Sequence, residues 1–572
     1  MKRTARLLSL LLLICLIFSA FTSCSSLKKL IFEDETESIA ETNDAQQSTE
    51  EVVSTDPNDP ETILIPGLEY TYTEQDYTDF TDLLSRLEKL ILTDRSADAE
   101  TIDPLLEELE DRFYQIATQE EIAYIYYCMD LSNETFSNAY LEVSSASSNA
   151  FETYQQFCLR IDQSDAPYRD AFFADWSEED LDEMRSFRPE MTKLSQANDE
   201  LLVEYHALSD ENFNEGAKTI FSKLVKNNNK IAKLNGYSSY PAYAYEKVYN
   251  RDYSPEDASR MHTLIGTYVT ALCEQSLARF RELYSDMNQA QRSALLKLVE
   301  GNYTDAGNTL TEYLKSYPEE SGIKDGMGSL FEEGNAVFTT SEKAQKGAFT
   351  GYLYSYERPI CYFGPGYHSL YTVTHEMGHY FAFLENASDS ICLDLAETQS
   401  QGNEWMLTSF MASKLDEKIA QALVCYQLYD ATATVILSAV VDAFEQNVYM
   451  NRVPGVDYDE IMELTCETFG GLAWLRQNIG DPMTYWKRVV VENPCYYISY
   501  SFSMLASMEL YAPTETDYVN AQQTYLAIAR ANPEPGELLT FFAGVGIQSP
   551  MEEATYQNLI RKFGFGGTDT NP

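Results

Sequence analysis

Histidine is nearly missing from this chain. Five occur in 572 residues: His206, His262, His368, His375 and His379. Basic residues are scarce as well, with 40 Lys and Arg against 90 Asp and Glu and a formal charge of −50. Phosphate binding needs basic surface, so nucleic acid is excluded as a partner. The cysteines show no CxxC spacing, which excludes a zinc ribbon. Setting aside Cys15 and Cys24, eight remain: Cys128, Cys158, Cys273, Cys361, Cys392, Cys425, Cys466 and Cys495. Their even number admits disulfides, and their apolar helical positions admit buried thiols equally well. No internal repeat of fixed period occurs. After the N-terminal region no stretch approaches 18 apolar residues without charge, so no further membrane segment is expected.

The N-terminus carries an export signal. Lys2, Arg3 and Arg6 precede an apolar run from Leu7 to Phe21, interrupted by Ser9, Cys15, Ser19 and Ala20. This is too short and wrongly flanked for an ordinary transmembrane helix. Phe21-Thr22-Ser23-Cys24 resembles a bacterial lipobox, with Phe where Leu is commoner. Cys24 is then the lipidated mature N-terminus, and the protein sits on the extracellular face of the bacterial cell membrane, held by its lipid. A plain secretory signal cleaved nearby is the alternative. Glu33 to Glu61 holds no aromatic and no Lys or Arg. Such a segment cannot bury enough apolar surface to fold, and its charges keep it extended. The expected organisation is a signal peptide over 1–23, an acidic disordered tether over 24–65, a helical N-terminal lobe over 66–340 and a catalytic lobe over 341–572. The apolar fraction of 44% is ample for a large core. About 500 residues exceed the usual size of one core, hence two lobes.

Two of the five histidines stand in His375-Glu376-Met377-Gly378-His379, an HExxH motif. On a helix, positions i and i+4 share a face, so both imidazoles can reach one zinc ion. Glu376, turned by about 100° from His375, lies beside that ion, where it can take a proton from water. Val373, Met377, Tyr380 and Leu384 recur at helical spacing and are expected to bury the opposite face. Gly378 and Ala382 flank the histidines and leave room for metal and substrate. The plainer reading, two histidines on a structural helix by chance, does not account for that pattern.

A zinc site needs a third protein ligand and an open position. After a turn over Asn386 to Ser390, a second helix from Leu393 presents Glu397 and Glu404, seven apart and so on one face. Glu397 is expected to be the third ligand. Glu404 is expected to orient a ligand imidazole from behind. The bland alternative is two solvated surface charges.

Most of the rest reads as helix. Leu83 to Leu92, Glu200 to Leu208, Ala217 to Leu234, Asp257 to Leu283 and Ile419 to Val448 show apolar residues at roughly helical spacing. Ser254 is an expected N-cap with Pro255 at the first helical position. Strand signals are few: Gly351 to Tyr356 and Pro359 to Phe363 are expected to form a small sheet beside the HExxH helix. An exposed edge strand there can hold a substrate backbone.

HEMGH followed by Glu397 and Glu404 as E-x6-E resembles the oligoendopeptidase F and thimet oligopeptidase family of zinc peptidases. Lys346-Gly347-Ala348-Phe349 and the run from Tyr362 to Thr374 resemble the segment before that family's zinc helix. Pro494-Cys495-Tyr496-Tyr497-Ile498-Ser499-Tyr500-Ser501 resembles its tyrosine-rich helix. Ile231 to Tyr237 and Tyr253 to Asp257 also fit, so that the likeness runs from Met184 to Phe565. The resemblance implies a mostly α, two-lobed fold with a central substrate channel and a small β-sheet near the zinc helix. It implies one Zn2+ per chain and oligopeptide substrates. It makes Tyr500, with Tyr497 about one turn earlier, a phenol donor to the oxyanion of peptide hydrolysis; aromatic core packing is the other reading, in a chain with 41 Tyr. The sequence departs from the family at Lys487-Arg488-Val489-Val490-Val491, where relatives carry a histidine; none follows His379.

The function expected is that of a lipid-anchored zinc endopeptidase, a monomer, with Glu376 as general base. A lipid-anchored peptide-binding protein that keeps the zinc site with little turnover is the alternative from another class, and an exopeptidase of another zinc family is a third reading.

Overall fold

A computed structural model describes residues 63–65, 68–70, 77–94, 98–174, 176–209, 211–386 and 391–564. The signal peptide, Cys24, the tether as far as residue 62 and the turn residues 387–390 lie outside the described residues. The chain is mostly helical with two small sheets. Two expected helices fall inside longer observed ones, Ala217 to Leu234 within Phe213–Leu234 and Ile419 to Val448 within Glu417–Tyr449, while Glu200 to Leu208 overlaps the end of Pro189–His206 and runs past it. Asp257 to Leu283 crosses a π-turn at Ile265–Val269. Leu83 to Leu92 is displaced: its helix starts at Thr78, and its second half winds into a π-helix, Lys89–Asp94. Ser254 caps its helix with Asp257 in a reciprocal capping box, and Pro255 takes the first helical position, where its missing N–H costs nothing.

Strands β1 (Ile63–Ile65) and β2 (Leu68–Tyr70) form an antiparallel hairpin. The second sheet has the order β3 (Ala336–Phe338), β5 (Arg358–Phe363), β4 (Ala348–Leu353), with β3 parallel and β4 antiparallel to β5. In it Thr350 pairs with Cys361. Both long strands are almost wholly buried, because the HExxH helix lies on one side and N-terminal helices on the other.

The 33-residue helix Glu417–Tyr449 is the spine of the molecule. It is long and apolar enough to cross a membrane, yet 78% of its most apolar stretch is buried against protein. Its apolar character is that of a core helix covered on all sides. The largest core cluster surrounds it and reaches from Leu201 to Leu559. A second gathers Phe80 to Met184, and a third joins Ile122 to Cys128 onto Phe349, Ile360 and Tyr362 of the sheet. All eight of the cysteines named above are free thiols, and seven are buried, which decides between the two readings of their number.

Two details of the HExxH helix (Leu370–Glu385) differ from expectation. Val373, Met377 and Tyr380 are buried, but Leu384 is 42% exposed, since it stands one residue before the helix ends and beyond its packing partners. Gly378 does not open space for a metal. It permits contact with the next helix, Leu393–Ala412: a Cβ there would lie 2.6 Å from Ser400 Cα and 2.7 Å from the Gln399 carbonyl oxygen. Backbone cannot yield as a side-chain tip can. Gly378→Ala is therefore expected to destabilise the fold by about 1–3 kcal/mol. It should also weaken metal binding, because the two helices must separate. Denaturant unfolding with metal titration checks both, and a Gly378→Ala protein of parent stability would refute the packing role.

Candidate metal centre

Each side chain of the site is set by backbone some distance away. The HExxH helix begins at Ser369, whose hydroxyl accepts the Thr372 N–H at 3.1 Å. It is tied to the helix behind it where Asn403 Nδ2 donates to the Thr374 carbonyl at 2.7 Å. Across that interface His375, His379 and Glu397 converge, each offering one ligand atom, all within 4.8 Å of one another. Glu397 Oε2 lies 3.6 Å from His375 Nε2 and 3.8 Å from His379 Nε2. Among the described residues, no other group of His, Cys, Asp and Glu meets in this way.

Glu404 stands behind His375. Its Oε1 accepts from Nδ1 at 2.6 Å, which leaves the Nε2 lone pair on the side of Glu397. Gln427, on the spine helix, donates to the other oxygen of Glu404 at 3.3 Å. Glu376 is fully buried. Thr350 Oγ1 on β4 donates to its Oε2 at 2.7 Å, while its Oε1 makes no hydrogen bond. One carboxylate oxygen is thus held and the other is free.

Burial dominates the electrostatics. It pushes His375 down to about 3 and His379 well below the ordinary imidazole range, the second assisted by the first. Both imidazoles are therefore neutral and hold a lone pair for a metal. Burial likewise pushes Glu376 and Glu404 up to about 8, against the Thr350 and Gln427 hydrogen bonds respectively, and raises Glu397 despite a bond from Tyr496. Three desolvated carboxyls around two neutral imidazoles form a site that a cation completes. The buried Glu397 Oε2 makes no hydrogen bond of its own, as a ligand oxygen without its ion would. These residues fit a metal ion held by two nitrogens and one carboxylate.

The sequence did not single out Tyr496. Its hydroxyl donates a short hydrogen bond to Glu397 Oε1, so it holds the third ligand in place. Tyr496 stands in the tyrosine-rich run with Tyr497 and Tyr500, and no local spacing links it to Glu397. Tyr497 and Tyr500 are both at least 96% buried and both line a cleft of about 460 Å³ together with His375, Glu376 and Glu404. Their rings are 5.5 Å apart, and Tyr500 is 5.2 Å from Tyr496. His368, from the loop before the HExxH helix, also lines the cleft, as does Asp430 from the spine helix. Neither was picked out by motif.

The tyrosine segment is anchored from beneath by Arg251. Its guanidinium donates to the carbonyls of Cys495 and Tyr496 at 2.9 Å each and to Ser499 Oγ at 2.8 Å. It lies between the rings of Tyr245 and Tyr249, 4.4 and 4.5 Å from their centroids, and 3.5 Å from Asp394 Oδ1. Cys495 has φ +62°, a left-handed conformation that a non-glycine residue adopts at a cost, and its N–H is taken up by Glu445 Oε1 at 2.8 Å.

A metal-type triad thus sits in a mostly helical scaffold beside a cleft that His375 lines. No family model and no curated protein matches the sequence. Solved structures do match. Against PZ peptidase A with an inhibitor, 86% of this chain and 97% of that one superpose with a TM-score of 0.65 at 16% identity. Against oligoendopeptidase F from Enterococcus faecium the coverage is 85% and 96%, with a TM-score of 0.54 and 15% identity. The chain has the oligoendopeptidase F fold. At such identity the likeness carries the fold, and the site's own residues carry the chemistry.

Glu397→Ala is expected to lose metal on dialysis. Glu404→Ala and Tyr496→Phe should retain it with an affinity lowered by about 10–100-fold, because they orient ligands without being ligands. Metal analysis after dialysis against graded chelator reads all three, and full occupancy in Glu397→Ala would place the third ligand elsewhere.

Proposed function

We propose that the protein is a zinc-dependent endopeptidase that hydrolyses oligopeptides outside the bacterial membrane, to which Cys24 anchors it. The observation that carries this reading is the His375–His379–Glu397 triad beside a cleft where Glu376 holds one free carboxylate oxygen. Nitrogen, nitrogen and carboxylate is a donor set typical of catalytic zinc, which keeps a position open. A bound zinc ion supplies Lewis-acid polarisation of the scissile carbonyl and acidifies a water molecule.

The chain's own groups do the rest. Glu376 Oε1 accepts the proton of the attacking water and passes it to the leaving amine. Thr350 keeps Oε2 occupied, so the carboxylate presents one oxygen in one direction. Burial raises the basicity of Glu376, which suits a proton acceptor at neutral pH. Tyr500 donates a hydrogen bond from its phenol to the oxyanion as it forms, a reading supported by its place with Tyr497 in the cleft lining. No histidine follows His379, and the cleft wall includes Tyr497, Tyr500 and His368 as hydrogen-bonding groups. A net charge of −50 draws neutral and basic peptides in preference to acidic ones. The fold likeness to oligoendopeptidase F supports cleavage within short peptides.

The test is digestion of a peptide mixture by the purified protein, with and without chelator, with terminally blocked peptides included. Internal cleavage abolished by chelator and restored by zinc is expected. Cleavage of free ends alone would make it an exopeptidase, and absence of any turnover would leave the peptide-binding reading. Glu376→Gln should keep its metal and lose turnover by orders of magnitude, since ligation and proton transfer sit on different residues; hydrolysis at the parent rate would remove Glu376 from the mechanism. Tyr500→Phe should lower kcat by about 10²–10³-fold with KM nearly unchanged, the signature of a bond made only in the transition state. An unchanged kcat would return Tyr500 to the core.

A further inference from the structure

A second cavity, of about 240 Å³, lies between the helices Ala99–Met129, Glu134–Asp162, Pro189–His206 and Phe213–Leu234 and the segment from Val491 to Pro494. Three carboxyl residues line it, Glu120, Asp199 and Glu492, and no Lys, Arg or His does. Glu492 is occupied: its Oε1 faces His206 Nε2 at 2.9 Å. Asp199 Oδ2 accepts from Ser144 Oγ at 3.1 Å. Glu120 is different. It is 96% buried, and its Oε2 makes no hydrogen bond. The hydroxyl of Thr192, 94% buried in the same wall, makes none either. Other parts of the wall are apolar, including Phe151, Phe187, Leu224 and Ile231.

We propose that this cavity is a second binding site, distinct from the metal cleft, for a primary ammonium group carried on an apolar stem. Ser147 and Ser144 serve the Glu120 carboxyl but leave Oε2 unpaired, and polar atoms left unpaired in a protein interior are costly and point to a missing ligand. An anion would meet only like charge. A metal ion would need donor atoms that converge, and those of this cavity do not form such a group. An ammonium brings three N–H donors and no acceptor, which suits a wall that offers the unpaired Glu120 Oε2 and the Thr192 oxygen. The apolar wall then buries the stem. Burial pushes Glu120 up to about 8 and Asp199 to about 7, so both are carboxyls whose charged form a cation would restore. Ser148, Met191 and Ser195 in its lining are half-buried. The overall negative field draws such cations in.

The site adjoins the proposed active centre through one wall. Pro494 and Tyr249 line the second cavity, and Tyr497 lines the metal cleft. Tyr249 donates to the Pro494 carbonyl at 2.7 Å and packs on Tyr496 at 5.9 Å. The ammonium has two possible sources, a lysine side chain of a peptide and a free amine, and the chemistry of recognition is the same for both.

Calorimetric titration of n-pentylammonium chloride into the full chain in detergent, carrying Glu376→Gln so that turnover plays no part, tests the site. One saturable event is expected, with none for 1-pentanol. Glu120→Gln should weaken it at least about tenfold, as loss of a charge-assisted bond does, and the added Glu397→Ala should leave it unchanged. If Glu120→Gln fails to fold, Asp199→Asn and Thr192→Val, each checked by thermal unfolding, give the same reading. Lack of saturable binding, equal binding of 1-pentanol, parent-like affinity in the cavity variants or loss of binding in Glu397→Ala would each overturn the proposal. A lysine-containing peptide that displaces pentylammonium, while its Nε-acetyl form does not, assigns the site to a peptide side chain. Displacement by neither assigns it to a free amine, and displacement by both overturns it. Because pentylammonium binding is read without turnover, it fails or holds separately from the peptidase reading.

Discussion

Everything at the metal centre depends on how closely two helices can approach. Two ligands stand on the HExxH helix and the third stands on the helix after it, so their distances follow from the separation of two backbones. That separation is set at Gly378, where the absence of a Cβ lets the helix rest on Ser400 Cα and the Gln399 carbonyl. Ser400 and Asn403 are themselves fully buried, and Asn403 returns a hydrogen bond to Thr374 one residue before His375. Interiors this dense do not flex to accommodate a methyl group. The triad therefore inherits its geometry from packing and not from the mutual attraction of its own residues, which without a cation is unfavourable.

Around this fixed pair of helices the remaining parts arrive from four other places. β4 brings Thr350 to the base. The spine helix brings Gln427 to Glu404. The tyrosine segment brings Tyr496 to Glu397. Arg251 secures that segment by hydrogen bonds to its backbone, from a position between two tyrosine rings. A buried ion pair such as Arg251 with Asp394 is weak support for stability, because two desolvation penalties offset its attraction. Its contribution here is directional. Asp394 is three residues before Glu397, and the carbonyls that Arg251 holds flank Tyr496, so one guanidinium joins the chain stretches bearing the third ligand and its hydrogen-bond donor. The left-handed backbone at Cys495, stabilised by Glu445, is where that arrangement stores strain.

How much of this was legible in the sequence depended on range. Two histidines four apart with a glutamate between them are local, and so are two glutamates seven apart; helical periodicity alone brings each pair to one face. The helices ending at Leu234 and Tyr449, the capped start at Ser254 and the strand Pro359 to Phe363 followed from the same local rules. The expected strand Gly351 to Tyr356 instead ends at Leu353 and turns into a 3-10 helix over Tyr354–Tyr356, and β1, β2 and β3 were not foreseen. What could not be read were contacts between distant segments. Tyr496 touches Glu397 across 99 residues and Thr350 touches Glu376 across 26, with no spacing to announce either. Gly378 was visible but read as room for a ligand, and only three-dimensional packing shows it to be a contact between helices. Leu384 fits the apolar periodicity, which takes no account of where a helix runs out of neighbours. The spine helix is as apolar as a membrane span; its burial within the fold decides its role. The acidic cavity is assembled from several helices and the loop before the tyrosine segment, so no stretch of chain contains its pattern.

The buried acids carry a further consequence for how the molecule is held together. Glu376, Glu397, Glu404 and Asp430 are all raised by desolvation, and Glu397 is raised further by Glu376 and Glu404. Folding brings these groups out of water while their neighbours repel their charge, so this region opposes folding until a cation balances it. Binding free energy released at such a site is folding free energy for the elements that form it. The elements in question are the HExxH helix and its partner, and through Tyr496 and Arg251 the tyrosine segment as well. A metal ion held by His375, His379 and Glu397 would thus stabilise the same contacts that place the phenols and the base around the cleft, so the parts that bind metal and the parts that act on a substrate are ordered by one interaction.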